Sequence, residues 1–154
     1  RIDAKLASLL AWAVARISKI YPIDPDEDAP EVFTSLVDVY GAILEKGNLG
    51  QRCAAAEVFR YVGDADIATH LFAAFDKATP EEMCRSYAVS LRRTAPTFVG
   101  SEAKLRMAVL YAFRQIGKGH AEVWKWAEER AQADDLDDVM KGHLNNLAST
   151  ARGR

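Results

Sequence analysis

The residues whose type and spacing could do chemistry in this chain are arginines. Arg60, Arg93 and Arg114 occupy one equivalent position in three segments that align with one another, and Arg92 adds a guanidinium beside the second. If those segments stack, the side chains line one flank. Such planar, permanently charged forks bind carboxylates or phosphates through paired hydrogen bonds. Residues 51–118 carry 10 basic and 7 acidic residues, against 5 and 8 in residues 1–50 and 5 and 7 in residues 119–154. The stripe is therefore local. A formal net charge of -2 gives the whole chain no attraction for nucleic acid or an anionic membrane. The competing reading is that these arginines are solvated, or neutralised by acids such as Glu57.

A second candidate is the pair Trp124 and Trp126. Residues two apart lie roughly 200° around a helix axis, so one ring faces away from the other and is available as a binding anchor. Trp126 joins the arginines as a candidate partner-binding residue. No catalytic constellation accompanies them. His70, His120 and His143 are never three or four residues apart, the spacing of a helical metal pair. His120-Ala121-Glu122 has the lettering of zinc deaminases but lacks the P-C-x-x-C that would complete the ligands. GxGxxG, GxxxxGK[ST] and GxSxG are all missing. No catalytic residue, cofactor or metal ligand is assigned, and an enzyme is the less favoured class.

The elements that would position these residues are read from apolar periodicity. Eight helical stretches emerge, and strand alternation is absent. The first carries Leu6, Leu9, Leu10, Ala13, Val14 and Ile17 and ends before Tyr21-Pro22. An acidic, proline-containing connector covers residues 21–30. The second helix has Phe33, Leu36, Val37, Tyr40, Ile43 and Leu44, and stops at Lys46-Gly47. The third has Cys53, Ala55, Ala56, Phe59 and Val62 before Gly63. Asp64 is placed to cap the fourth, with Ile67, Ala68, Leu71, Ala74, Phe75 and Ala78 inward. Thr79-Pro80-Glu81-Glu82 is an N-terminal signal for a fifth helix that continues through Cys84, Tyr87, Ala88 and Leu91. Ser101 opens a sixth with Leu105, Ala108, Val109, Ala112, Phe113 and Ile116, ending at Gly117. The last two span about 120–132, with Val123, Trp124, Ala127 and Ala131, and about 136–150, with Leu136, Val139, Met140, Leu144 and Leu147. Asp134-Asp135-Leu136-Asp137-Asp138 caps the last, where carboxylates favour the positive end of the helix dipole.

Short turns between such helices make neighbours antiparallel, in a closed bundle or an open solenoid. Internal similarity favours the solenoid. Residues 52–63 align with residues 106–117 at five identities in twelve positions, and a shift of 33 sets Arg85, Ala88 and Arg93 over Arg52, Ala55 and Arg60. The stretch Gln51-Arg52-Cys53-Ala54-Ala55-Ala56-Glu57-Val58-Phe59-Arg60-Tyr61-Val62-Gly63-Asp64 resembles the second helix of a HEAT-like repeat with its inter-repeat turn. Leu71 to Asp76 resembles the next first helix, and Glu82-Met83-Cys84-Arg85 resembles the start of another second helix. The resemblance spans residues 31–117. It implies register-holding roles for Asp76 and Arg85, across a gap longer than that family's usual one. The step of 33 from Arg52 to Arg85 and then 21 to Arg106 makes one repeat irregular. Gly63, Ala68, Phe72 and Pro80 also fit tetratricopeptide spacing, which stays open as an alternative.

At 154 residues with 49% hydrophobic content, the chain is expected to form a single all-helical repeat domain over residues 1–154. The fold class is all-α, with about eight antiparallel helices in a HEAT-like α-α superhelix. Cys53 and Cys84 lie in apolar patterns without metal-ligand spacing, and are expected to be free thiols in a cytoplasmic or otherwise intracellular protein. No apolar run reaches the roughly 18 residues of a membrane span; residues 6–20 are interrupted by Ser8, Arg16, Ser18 and Lys19. The start at Arg1-Ile2-Asp3, without methionine, suggests a piece of a longer solenoid. The expected function is a protein-interaction scaffold that presents Arg60, Arg92, Arg93, Arg114 and Trp126 to an acidic or extended polypeptide. The alternative is a nucleic-acid-binding or repair domain, because some HEAT-like glycosylases set a concave basic face against the DNA backbone. An enzyme acting on a small molecule would need a pocket with convergent polar groups.

Overall fold

The computed structural model describes residues 40–60, 65–90, 97–116 and 119–153. Within them, helix α1 (residues 40–46) and α2 (Leu49–Phe59) are followed by a short 3-10 turn, Ala65–Ile67, that leads into α3 (Ala68–Lys77). Strands β1 (Met83–Ser90) and β2 (Thr97–Lys104) come next, and then α4 (Leu105–Ile116), α5 (Ala121–Ala131) and α6 (Asp138–Ala151). The described chain is thus mostly helical, with six α-helices and one antiparallel pair of strands. The helix expected around residues 6–17, the connector 21–30, and Asp64, Arg92 and Arg93 lie outside the described residues.

Local signals explain the helix boundaries. Gly47 ends α1, its N–H donating to the Ile43 carbonyl at 2.8 Å, and a Cβ there would lie 2.6 Å from that oxygen. Only glycine fits so close to the backbone. Asn48 then starts α2 through a capping box. Its side chain accepts the Gln51 N–H at 3.0 Å, while Gln51 accepts the Asn48 N–H at 2.9 Å. Asp137 caps α6 by accepting the Met140 N–H at 2.8 Å, as the acidic run implies. In α6, Met140, Leu144, Leu147 and Ala151 are buried, but Val139 is 70% exposed. It stands one residue out of phase with that stripe, so its inclusion in the apolar face is corrected.

The fifth helix is also corrected, together with the expectation that strands are missing. Residues 83–90 and 97–104 pair antiparallel, from Met83 opposite Lys104 to Ser90 opposite Thr97. Cys84, Tyr87, Ala88 and Leu91 have helical spacing, yet Cys84, Ser86, Tyr87, Val89 and Ser90 are all weak helix formers. Thr97, Phe98 and Val99 are strong strand formers. Thr79-Pro80-Glu81-Glu82 makes a turn, not a first helical turn: the Glu82 N–H donates to the Thr79 carbonyl at 3.3 Å with Pro80 between them. Proline at the first helical position and proline second in a turn leave the same mark on a sequence. Ser101 accordingly sits in β2 opposite Ser86, and α4 begins four residues later than expected.

One continuous core joins the helices. Phe59, Phe75, Phe113, Leu44, Ile67, Leu71, Leu105, Leu144, Val109 and Val123 are its largest fully buried side chains. α5 and α6 pack as an antiparallel pair, with the Gly119 N–H on the Ala151 carbonyl at 2.9 Å. Arg130 closes the loop between them. Its guanidinium forks onto Asp135 at 2.8 and 2.9 Å and donates through Nε to Asp76 at 2.8 Å. Arg85 pairs across the hairpin with Glu102 at 2.7 Å. Asp76 and Arg85 therefore hold α5 and β2 respectively, and the register-holding roles implied for them are corrected by the placement of Arg85 on a strand.

Cys53 on α2 and Cys84 on β1 form a disulfide, with Cα atoms 5.5 Å apart. The expectation of free thiols is corrected, and the thiol argument for an intracellular setting goes with it, since such bonds persist in oxidising surroundings. Among the described residues no helix is long and apolar enough to cross a membrane.

Closing a loop across 31 residues should stabilise the fold by about 3–4 kcal/mol through unfolded-state entropy. Dithiothreitol, or the Cys53→Ser/Cys84→Ser pair, should lower the urea midpoint accordingly; an unmoved midpoint would contradict the bond. The Arg130 fork holds the Asp135 carboxyl down at about 2, from its ordinary 3.8. This contribution is complete above pH 3.8 and is lost as pH falls toward 2. Acid titration of Asp135→Asn should show a shallower loss of stability across that window than the parent chain.

Candidate functional site

The aligned segments of the sequence are neighbours in space, since α2 packs against α4. Their equivalent residues do equivalent work. Arg52 and Arg106 are the two buried charged residues among those described, and both reach residues 78–82. Arg52 forks onto Glu82, and Arg106 donates from Nε to the Ala78 carbonyl at 2.9 Å. Glu82 also accepts the Thr79 N–H at 3.0 Å, and its carboxyl is held below the usual range chiefly by the Arg52 hydrogen bond. Phe59 and Phe113 are both buried in the core. At the far ends of the two helices, the Arg60 and Arg114 guanidinium groups lie 5.4 and 4.9 Å from the centre of one ring, Tyr111. With both N-terminal ends at one turn and both C-terminal arginines at one ring, α2 and α4 run side by side in the same direction.

The two arginines differ in what holds them. Each contacts the residue three positions earlier, one turn back along its own helix. For Arg60 this is Glu57, at 4.0 Å. For Arg114 it is Tyr111, a cation–π contact. Glu57 is largely buried, and desolvation pushes its carboxyl above the usual value, partly offset by Arg60. Beside Arg114, α4 and α6 form a shallow groove whose enclosed space, ≈ 10 Å³, has room for about one water molecule. Met107, Leu110 and Leu147 supply apolar surface, and Arg114, His143, Asn146 and Thr150 supply the polar lining.

Of the residues singled out in the sequence, Arg60 and Arg114 come together, while Arg92 and Arg93 lie outside the described residues. Trp126 is half-buried and stacks on Phe72 at 4.7 Å, with Phe113 at 5.1 Å and Phe75 edge-on at 5.3 Å. Trp124 instead lies under Arg152, at 5.9 Å. Sequence reading missed Tyr111, His143, Asn146 and Thr150. Tyr111 had a signal, because it takes the position of Glu57 in the same alignment that links Arg60 to Arg114. The α6 residues had none, since only packing brings them beside α4. Among the described residues, histidine, cysteine and acidic side chains form no group of three that could hold a metal ion. No protein-family model matches the chain, nor does any characterised protein or solved structure.

Because burial raises the Glu57 carboxyl above 4.5, its ionised form at neutral pH works against folding, and the cost disappears once it is protonated in both states. Glu57→Gln should therefore unfold at a higher temperature than the parent chain at pH 7 and at nearly the same temperature below pH 4.5. Equal shifts at both pH values would contradict this environment.

Proposed function

We propose that the chain is a protein-interaction scaffold of HEAT-like type, built to hold an acidic, extended polypeptide against a flank carrying Arg60 and Arg114, with Arg92 and Arg93 as further members. The observation that carries the reading is the convergence of Arg60 and Arg114 on the Tyr111 ring. Equivalent helices of successive repeats run in the same direction in a stacked superhelix, so equivalent side chains recur along one side. The matched ends of α2 and α4 support that arrangement. The step of 21 from Arg85 to Arg106 fits it as well, because the intervening segment is a strand pair between two helical units.

Carboxylates suit this flank better than a nucleic-acid backbone. Tight phosphate binding draws on many unneutralised cations, whose counterions are released on contact. Here Arg52, Arg85, Arg106, Arg130 and Arg152 are all engaged with acids of the same chain. A partner that makes a few directional contacts needs far fewer free charges.

The test is fluorescence anisotropy with a glutamate-rich peptide at low salt, alongside a single-stranded oligonucleotide of matched charge. Arg60→Glu/Arg114→Glu should weaken peptide binding at least about tenfold, as expected for losing one charge-assisted hydrogen-bonding group. Arg60→Glu sets a second carboxylate beside the largely buried Glu57, so the melting temperature should fall, and circular dichroism at the assay temperature should show the variant still folded. Unchanged peptide affinity would reject this surface, and tighter binding of the oligonucleotide would favour nucleic acid as the partner.

A further inference from the structure

Among the described residues there are seven arginine side chains, and six of them hold an acid. Arg52 pairs with Glu82, Arg60 with Glu57, Arg85 with Glu102, Arg106 with Asp135, Arg130 with Asp76 and Asp135, and Arg152 with Glu128. Within that set Arg114 alone has no acidic partner; its guanidinium rests on the Tyr111 ring. The exception falls at the edge of the α4/α6 groove, whose lining contains no acid. A second depression, beside residues 80 and 104, is different: there Lys104 faces Asp137 at 4.0 Å and Arg106 faces Asp135 at 3.9 Å, so its charges are already matched.

From this contrast we infer that the α4/α6 groove is a carboxylate-binding subsite, taking a glutamate or aspartate side chain that is followed by an aliphatic one. The inference rests on the proposed binding of an acidic polypeptide and assigns it a place. An ionised carboxylate is an acceptor only, with room for about four hydrogen bonds. Arg114 offers a fork of donors. Thr150 is committed, because its hydroxyl donates to the Asn146 carbonyl at 2.9 Å and approaches Asn146 Oδ1 at 3.3 Å. With its one proton given to that carbonyl, Thr150 does not fix the exposed Asn146 amide, whose N–H groups can turn to the groove. Leu110 and Leu147 are nearly buried and Met107 half-buried at its base, an apolar floor for the neighbouring aliphatic group. The enclosed space, ≈ 10 Å³, admits about one water molecule, so the carboxylate lies across the open mouth of the groove, where Arg114, Asn146 and Thr150 are exposed.

The experiment is a ¹H–¹⁵N titration of the intact chain with a terminally blocked peptide of alternating leucine and glutamate, and with its glutamine counterpart. Binding of the glutamate peptide should move the Asn146 side-chain amide and Arg114 Nε–H signals. The glutamine peptide, Arg114→Gln and Asn146→Leu should each weaken binding by about threefold to tenfold or more, the scale of one lost hydrogen bond to a charged group. Arg60→Gln should leave the groove signals responding. If the glutamate peptide binds but moves only signals around Arg60, the subsite is wrong while the broader reading stands. If neither peptide binds at millimolar concentration, both fall. Movement of the groove signals on concentrating the chain alone would mean that a second copy takes the groove, which also overturns the subsite.

Discussion

The arrangement hangs on two buried guanidinium groups that clamp one turn. Arg52 of α2 and Arg106 of α4 both end at residues 78–82, one on the Glu82 carboxylate and the other on the Ala78 carbonyl. A buried cation without partners is costly to keep, and each guanidinium finds its partner at this turn. The turn is therefore fixed against both helices at once. The Leu105 N–H on the Glu82 carbonyl, at 2.9 Å, ties the first residue of α4 to the same point. The Cys53–Cys84 bond adds a covalent link one residue beyond Arg52.

The far ends of the two helices inherit their register from this clamp. Two helices held at matched positions near their starts, and packed side by side, remain matched two turns later. Arg60 and Arg114 then meet one ring without any direct attraction between them. Their different neighbours decide their roles. Glu57 neutralises the first, and the tyrosine at the corresponding position of α4 leaves the second with its charge unspent. The residue three positions before each arginine thus differs between the two aligned helices, an acid beside Arg60 and an aromatic ring beside Arg114.

Much of this was legible in the sequence. The alignment of residues 52–63 with 106–117 anticipates the pairing of α2 with α4, and apolar periodicity places α5 and α6 within a few residues of their observed ends. Capping chemistry at Asp137 was equally readable, being local. The strand pair was hidden because Cys84, Tyr87, Ala88 and Leu91 carry helical spacing while their neighbours favour strands, and periodicity alone cannot arbitrate such a run. The disulfide was hidden because its cysteines are 31 residues apart and belong to elements of different kinds. The groove was hidden for the same kind of reason: Asn146 and Thr150 gain meaning only when α6 lies beside α4. Tertiary contacts, not local preference, place those residues.

The most direct test of the matched register is a nuclear Overhauser experiment on the aromatic protons of Tyr111. Those protons should show cross-peaks to the δ-methylenes of both Arg60 and Arg114 in the same molecule. Cross-peaks from Tyr111 to Arg52 in place of Arg60 would mean that α2 and α4 run in opposite directions, and would contradict the account.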